Sequence, residues 1–239
     1  MASYSLLEWD TKFFGYKVAR IDVYQDSKAQ IDQTINRLKL EDFKLAYFFV
    51  SPEDDTSNYS IKACSGLLVD EKVTYSYLID EQAIFKVDDY VVIYNEDNVT
   101  QELTQLTLQS GTYSRFKTDP KFRNSEYENL YKEWITKSVR NEIADQVLVY
   151  KEEDHILGFI TLRITDGKGT IGLLAVDEKS RGKSIGKKLL NSSFSYFHNK
   201  NITTIEVVTQ RVNQIACRFY EACGFKLSEI VNVYHLWII

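Results

Sequence analysis

Residues Thr170–Leu190 read TIGLLAVDEKSRGKSIGKKLL, and this stretch decides the fold of the 239-residue chain. It joins an apolar strand, a polar turn, a loop of small and basic residues, and a helix with one apolar face. A small-residue loop that opens a helix exposes backbone N–H groups at the positive end of the helix dipole, which suits a pyrophosphate. The sequence therefore predicts an anion site over 181–187, and the alternative is a solvated turn. The basic patch expected at this site consists of Arg181, Lys183, Lys187 and Lys188.

Strands and helices alternate on both sides of this stretch. Runs of β-branched and aromatic residues predict strands at 45–50, 73–79, 90–94, 147–150, 156–164, 170–176, 205–208 and 231–238. Helical spacing of apolar residues occurs at 31–40, 126–139, 186–198 and 213–223. This alternation predicts an α/β fold.

A second informative segment, NQIACRFYEACGF, occupies residues 213–225. Asn213 stands where a helix N-cap belongs, and Gly224 follows the helix as a residue that tolerates positive φ. Tyr220 lies at the border of the apolar stripe, where its ring can pack while its hydroxyl stays free. Periodicity by itself favours a packing role for Tyr220.

The two halves of the chain echo each other. Strand, polar loop, helix and strand follow one another within 45–79 and again within 205–237. The same spacing separates the first strand from the glycine after the helix, Gly66 in one half and Gly224 in the other. We infer that the N-terminal region imitates the last unit of the C-terminal region, by duplication or by chance.

Charge and cysteine content narrow the classes of function. Thirty-four acidic against 29 basic residues give a net charge of −5, which disfavours general binding to nucleic acid or to anionic membranes. Three cysteines and three histidines, at spacings that match no disulfide or zinc framework, favour a reduced cytoplasmic compartment and no metal site. The sequence shows no signal-peptide pattern and no apolar run long enough to cross a bilayer, so we expect no membrane insertion.

Val176–Leu190 and Asn213–Phe225 together resemble the acetyl-CoA signatures of the GNAT N-acetyltransferase superfamily. The family's R/Q-x-x-G-x-G/A loop corresponds to 181–186, with Ser184 in place of the first loop glycine. The family's N-x-x-A-x-x-x-Y-x-x-x-G-F motif is intact. The resemblance implies a GNAT fold with a mixed central sheet, and acetyl-CoA as the co-substrate. The residues that it implies for acetyl-CoA are Leu174, Ala175, Val176, Arg181, Gly182, Lys183, Ser184, Ile185, Gly186, Lys187 and Asn213.

Two further blocks resemble the dTDP-fucosamine acetyltransferase group: LEWDTKFFGYKVARI near the start and SGTYSRFKTDPKFRNSEYENLYKEWITKSV in the middle. Those enzymes acetylate the 4-amino group of a dTDP-linked 4-amino-4,6-dideoxy sugar for surface-polysaccharide synthesis. The resemblance implies a partial GNAT-like region on the acceptor side at 1–110 and a C-terminal acetyl-CoA-binding domain at 111–239. It would make this chain an N-acetyltransferase for a nucleotide-linked amino-deoxy sugar. The alternatives are a different acceptor, such as a protein N-terminus, a lysine or another small amine, and a non-catalytic acyl-CoA-binding module.

The resemblance also implies direct attack of the acceptor amine on the thioester, and no Ser-His-Asp or Cys-His arrangement is visible in the sequence. Backbone N–H groups of the strand that ends LLAV would contact the thioester oxygen. Tyr220 would protonate the departing CoA thiolate. As the base that deprotonates the amine we choose Asp70, with Glu71 second; an exposed acid in a turn is the alternative.

For the acceptor's diphosphate we expect Arg115, helped by Lys117, Lys121 and Arg123, because an arginine fork matches phosphate oxygens. A solvated basic loop is the alternative.

Aromatic residues near the start are the candidates for the sugar pocket. We expect Phe14, with Trp9 and Phe13 beside it, to shape that pocket; core packing is the alternative for each. The sequence leaves a homodimer open.

Overall fold

The computed structural model describes residues 3–80 and 82–238. The strands within these residues are β1 (Tyr4–Leu6), β2 (Lys17–Asp22), β3 (Phe43–Val50), β4 (Leu67–Leu78), β5 (Val91–Ile93), β6 (Gln146–Glu152), β7 (His155–Thr165), β8 (Lys168–Val176), β9 (Thr204–Gln210) and β10 (Lys226–Trp237). The helices are α1 (Glu8–Phe14), α2 (Lys28–Leu40), α3 (Asp55–Ala63), α4 (Gln101–Ser110), α5 (Arg115–Thr118), α6 (Glu126–Val139), α7 (Ile185–His198) and α8 (Gln214–Ala222). Within this described part of the chain, no helix has the length and apolar character needed to span a membrane.

The strands form one sheet in the order β1-β2-β3-β10-β4-β9-β8-β7-β6-β5. β2 runs parallel to β3 and β8 runs parallel to β9, whereas the other neighbours are antiparallel. The sheet is therefore mixed, and the predicted α/β class is confirmed. Helices α1 and α5 escaped the sequence patterns because they are 7 and 4 residues long, too short to display helical periodicity.

Helices cover both faces of the sheet. Side chains alternate along β10, so Ile230 and Tyr234 point to one face, while Val231 and Val233 point to the other. Helices α2, α3, α7 and α8 pack on the first face. Helices α1, α4, α5 and α6 pack on the second. The result is a helix–sheet–helix arrangement of three layers.

The sequence echo corresponds to two strand–helix–strand units, β3-α3-β4 and β9-α8-β10. The last strand of each unit pairs with the first strand of the other unit: β10 pairs with β3, and β4 pairs with β9. The two strand pairs have the same register at equivalent positions: Val50 of β3 lies opposite Asn232, and Val208 of β9 lies opposite Thr74. This pairing carries β4, from the N-terminal half, into the middle of the sheet beside β9.

The two halves differ where their parallel strands meet. β2 is paired with β3 from Lys17 to Asp22, which is its whole length. β8 is paired with β9 only from Gly169 to Ile171, so that Gly172–Val176 separates from β9. The sheet is therefore open in the C-terminal half and closed at the matching place in the N-terminal half.

The division of the chain at residue 110 stays a prediction. β5 and α4 both lie within the region 1–110, yet β5 extends the sheet beside β6, and α4 contacts β7, β8 and α6. One sheet runs through both of the regions 1–110 and 111–239.

Candidate active site

A cleft of about 340 Å³ lies where β8 and β9 separate. Helix α8 lines it from one face of the sheet, and α1, α5 and α6 line it from the other. The cleft therefore joins the two faces through the opening in the sheet. Its polar and charged lining residues include Asp10, Asp70, Lys72, Ser114, Arg115, Thr209, Gln210, Asn213 and Tyr220.

A β-bulge shapes the end of β8. One extra residue of β8 is accommodated between Ile171 and Leu174, and the Leu173 N–H donates to Thr161 Oγ1 of β7 at 2.8 Å. Beyond the bulge, Leu174–Val176 pair with β7 on one edge and leave the edge toward β9 without a strand. That free edge offers backbone groups to a ligand in the cleft.

The loop before α7 presents backbone N–H groups at a helix start. Gly182 and Ser184 have φ of 82° and 62°, and α7 begins at Ile185. Left-handed residues just before a helix turn successive amides toward one side, and the amides of the first helical turn have no intrahelical partner. Gly186 allows α7 to approach α8, since a Cβ at this position would lie 3.0 Å from the ring of Phe219.

The basic patch beside this loop is smaller than expected. Arg181, Lys183 and Lys187 are exposed around it. Lys188 does not belong to the patch, because its Nζ pairs with Asp88 at 3.1 Å.

Tyr220 reaches the cleft from α8. The N-cap predicted for this helix is present, since Asn213 Oδ1 accepts from the Ala216 N–H at 3.2 Å, and Gly224 follows the helix with a φ of 90°. The Tyr220 side chain is 5% exposed, and its ring lies 5.5 Å from that of Phe225. Burial raises the pKa of the phenol, so it stays protonated at neutral pH.

Asp70 reaches the cleft from β4. It lies inside a strand, so the alternative of an exposed turn acid is wrong. Its Oδ1 is buried and has no hydrogen-bond partner among the described residues. Burial raises the pKa of Asp70 to about 7, although Arg115 and Lys72 oppose the shift. Glu71, the second candidate for the base, pairs instead with Arg211 at 3.3 Å.

Arg115 lies at the start of α5, on the same side of the cleft as Asp70. Its Cζ lies 4.6 Å from the centre of the Tyr47 ring and 4.8 Å from that of Phe116. Its Nε is buried without a hydrogen-bond partner in the described chain. The guanidinium is thus held by aromatic faces, and its donors remain available to a ligand.

The basic residues expected to assist Arg115 lie elsewhere. Lys117 sits over the Tyr127 ring at 5.1 Å, Lys121 over Trp237 at 5.9 Å, and the Arg123 Nε donates to the Pro120 carbonyl. None of these three cations is among the residues that line the cleft.

Of the three aromatic residues expected at the sugar pocket, only Trp9 lines the cleft. Trp9 and Asp10 line it. Phe14 packs instead against Phe122 at 5.2 Å and Phe116 at 5.9 Å, and it is not among the lining residues. Phe13 stacks on Trp9 at 5.1 Å and supports it from behind.

Residues 110–225 match the model of the Acetyltransferase (GNAT) family. They form a GNAT acetyltransferase domain. Over 227 residues, 93% of each chain, the protein is 23% identical to the dTDP-fucosamine acetyltransferase of Escherichia coli O6:H1. Over 142 residues it is 26% identical to the spore coat polysaccharide biosynthesis protein of Bacillus subtilis (strain 168); this match covers 59% of the present chain and 49% of that relative. The chain thus spans about half the length of the Bacillus protein.

The fold also matches solved GNAT structures. A GCN5-related N-acetyltransferase from Sphaerobacter thermophilus superposes with a TM-score of 0.63 at 13% identity, covering 99% of this chain and 76% of the other. At that identity the likeness concerns the fold. The predicted GNAT fold is confirmed.

The GNAT family consists of acyltransferases that use acetyl-CoA, and this GNAT domain fits that co-substrate. The free edge of β8, the amides at the start of α7 and the exposed Arg181, Lys183 and Lys187 follow one another along the chain. Ser184 adopts the left-handed conformation that a loop glycine would adopt freely, so the backbone path survives the substitution. Among the residues described, no cluster of three His, Cys, Asp or Glu side chains is arranged to hold a metal ion.

Among the charged residues of the cleft, sequence reasoning missed two, Asp10 and Lys72. Lys72 carried a usable signal, because side chains two residues apart on a strand share a face, and Asp70 was already a candidate. Asp10 carried none, since α1 is too short to reveal which of its residues face inward.

Proposed function

We propose that this protein transfers an acetyl group from acetyl-CoA to the amino group of a dTDP-linked amino-deoxy sugar, by direct attack of the amine. One observation carries the proposal: Tyr220 and Asp70, from opposite halves of the chain, line the same cleft at the opening between β8 and β9. An acid and a base on two sides of one cleft are what acetyl transfer to an amine requires.

Asp70 acts as the base in this proposal. A pKa of about 7 lets the carboxylate accept a proton from an ammonium group near neutral pH. Its buried Oδ1 has no hydrogen-bond partner in the described residues, so an amine of the acceptor can take that position.

Tyr220 acts as the acid. The buried phenol holds its proton at neutral pH and can give it to the leaving thiolate. The thioester of acetyl-CoA supplies the activated acyl group. The amides at the start of α7 and the free edge of β8, from Leu174 to Val176, hold the co-substrate.

A small acceptor suits the shape of the cleft better than a peptide does. Trp9 of α1 and Trp134 of α6 both line a space of about 340 Å³.

The proposal includes a cytoplasmic location, which the free thiols of Cys64, Cys217 and Cys223 favour. It leaves the oligomeric state open between monomer and homodimer.

The test is thiol release from acetyl-CoA with three classes of acceptor: dTDP-linked 4-amino-4,6-dideoxy sugars, peptides with a free N-terminus, and lysine. We expect release with an amino sugar and its loss in Asp70→Asn. Release with peptides only would refute the acceptor class. Binding of acetyl-CoA without release for any acceptor would favour a non-catalytic module.

A further inference from the structure

Two basic side chains of the cleft lie near carboxylates without forming a salt bridge in the described residues. Lys72 and Arg115 both line the cleft, and neither forms an ion pair within the described residues. The nearby Arg211 differs, because Glu71 neutralises it at 3.3 Å. Asp10 and Asp70 line the same cleft and interact electrostatically with Arg115. The half-buried ammonium of Lys72 and the buried Nε of Arg115 nevertheless have no hydrogen-bond partner in the described residues, so both can donate to a ligand.

Lys72 has a defined position relative to Asp70. Both side chains leave the same face of β4, and the register against β10 is unbroken between them, from Asp70 opposite Val233 to Lys72 opposite Val231. Two residues of a strand span about 6.6 Å. A carboxylate and an ammonium at this spacing match the two ends of one pyranose ring that carries an amine at one end and a phosphate at the other.

The surroundings of Lys72 favour an anionic ligand. Burial, together with Arg115 and Arg20, lowers the pKa of Lys72, while Glu229 and Asp70 partly compensate. A phosphate group placed between Lys72 and Arg115 would relieve the repulsion between these cations.

We propose that Lys72 and Arg115 together bind the phosphate end of the acceptor, one ring away from the amine at Asp70. This inference rests on the function proposed above and adds Lys72 as a residue that selects phosphorylated acceptors. Lys72 does not contact the reacting atoms, but its charge lowers the pKa of Asp70. Its effect on acceptor binding is therefore separated from its effect on the base by comparing the variants at a pH where Asp70 is fully deprotonated in each.

The kinetic test compares Lys72→Met and Lys72→Arg with Lys226→Met, a matched control at an exposed position of the neighbouring strand β10. The acceptors are a dTDP-linked 4-amino-4,6-dideoxy sugar and the methyl glycoside of the same sugar, which lacks phosphate. Lys72→Met should raise the KM for the nucleotide sugar about 10- to 100-fold, the range for loss of a charged hydrogen bond. On the alkaline plateau of each pH profile, the kcat, the KM for acetyl-CoA and the KM for the methyl glycoside should stay within about twofold. Lys72→Arg should retain most of the affinity. Equal effects of Lys72→Met on both acceptors would overturn the inference.

A binding experiment separates this inference from the proposed function. The wild type and Lys72→Met are titrated with dTDP by calorimetry while saturated with coenzyme A, so that the loop before α7 is already filled. We expect dTDP to bind the wild type and to bind Lys72→Met at least tenfold more weakly. Equal affinity, or no binding to the wild type, would refute the phosphate site. An inactive wild type that still binds dTDP through Lys72 would refute only the proposed reaction.

Discussion

The role of Tyr220 can be tested by Tyr220→Phe, which removes one oxygen atom and keeps the ring. The ring contacts with Phe225 at 5.5 Å, Phe219 at 5.4 Å and Tyr75 at 6.1 Å remain possible for phenylalanine. No hydrogen bond of the hydroxyl is present in the described residues, so none within the protein is lost. The free energy of unfolding should therefore change by less than about 0.5 kcal/mol.

Catalysis should respond very differently. A positioned general acid contributes about 10²- to 10⁴-fold to rate, which corresponds to about 3–5 kcal/mol of the activation free energy. We expect kcat to fall by this factor, while the Kd for acetyl-CoA, measured by direct titration, stays unchanged. The titration is needed because KM can mix binding with chemistry.

Tyr75 provides the matched control. Its ring faces that of Tyr220 at 6.1 Å, and its hydroxyl donates to Glu221 at 2.7 Å. Tyr75 does not line the cleft, so Tyr75→Phe should leave kcat within a few fold of the wild type. Near-normal turnover in Tyr220→Phe, with chemistry shown to be rate-limiting, would refute the assignment, and so would an equal loss in both variants.

Three further predictions concern the base and the loop before α7. Because the base works only when deprotonated, kcat/KM should rise with pH through the Asp70 pKa of about 7 and level off above it. Asp70→Asn should lower kcat at least 100-fold and abolish this rise of kcat/KM with pH. If the variant shows the same rise, Asp70 is not the titrating group. Ser184→Gly removes the backbone strain of a serine with a φ of 62°, whose side chain does not cap α7. After the entropy cost of glycine, the free energy of unfolding should rise by about 0.5–1 kcal/mol and the Tm by about 2 °C, and a lower Tm would contradict this. Gly186→Val should lower the Tm as well as the affinity for coenzyme A. A Cβ at this position would lie 3.0 Å from the Phe219 ring, and overpacking costs about 1–3 kcal/mol, so an unchanged Tm would show that the contact is not tight.

The sequence by itself determined the parts of the site that local interactions build. Asn213 and Gly224 mark the ends of α8 through a side-chain cap and a positive φ, both of which depend on a few neighbouring residues. The strand–loop–helix around 170–190 is equally local. These signals were enough to predict the fold class and an anion-binding loop before α7. The assignment of that loop to acetyl-CoA and of Tyr220 as a candidate acid came from the family resemblance of the same segments.

Only the tertiary structure decided which acceptor residues face the cleft. Asp70 and Lys72 reach it because β4 inserts between β9 and β10, and this pairing joins residues far apart in the chain. No local pattern encodes such a pairing, since strand order depends on how whole units pack. The same reason explains why the prediction for Phe14 differed from the structure. An aromatic ring suits a sugar pocket, but long-range packing places this ring against Phe122. Local sequence patterns thus predicted the loop before α7, whereas long-range strand pairing places Asp70 and Lys72 in the cleft.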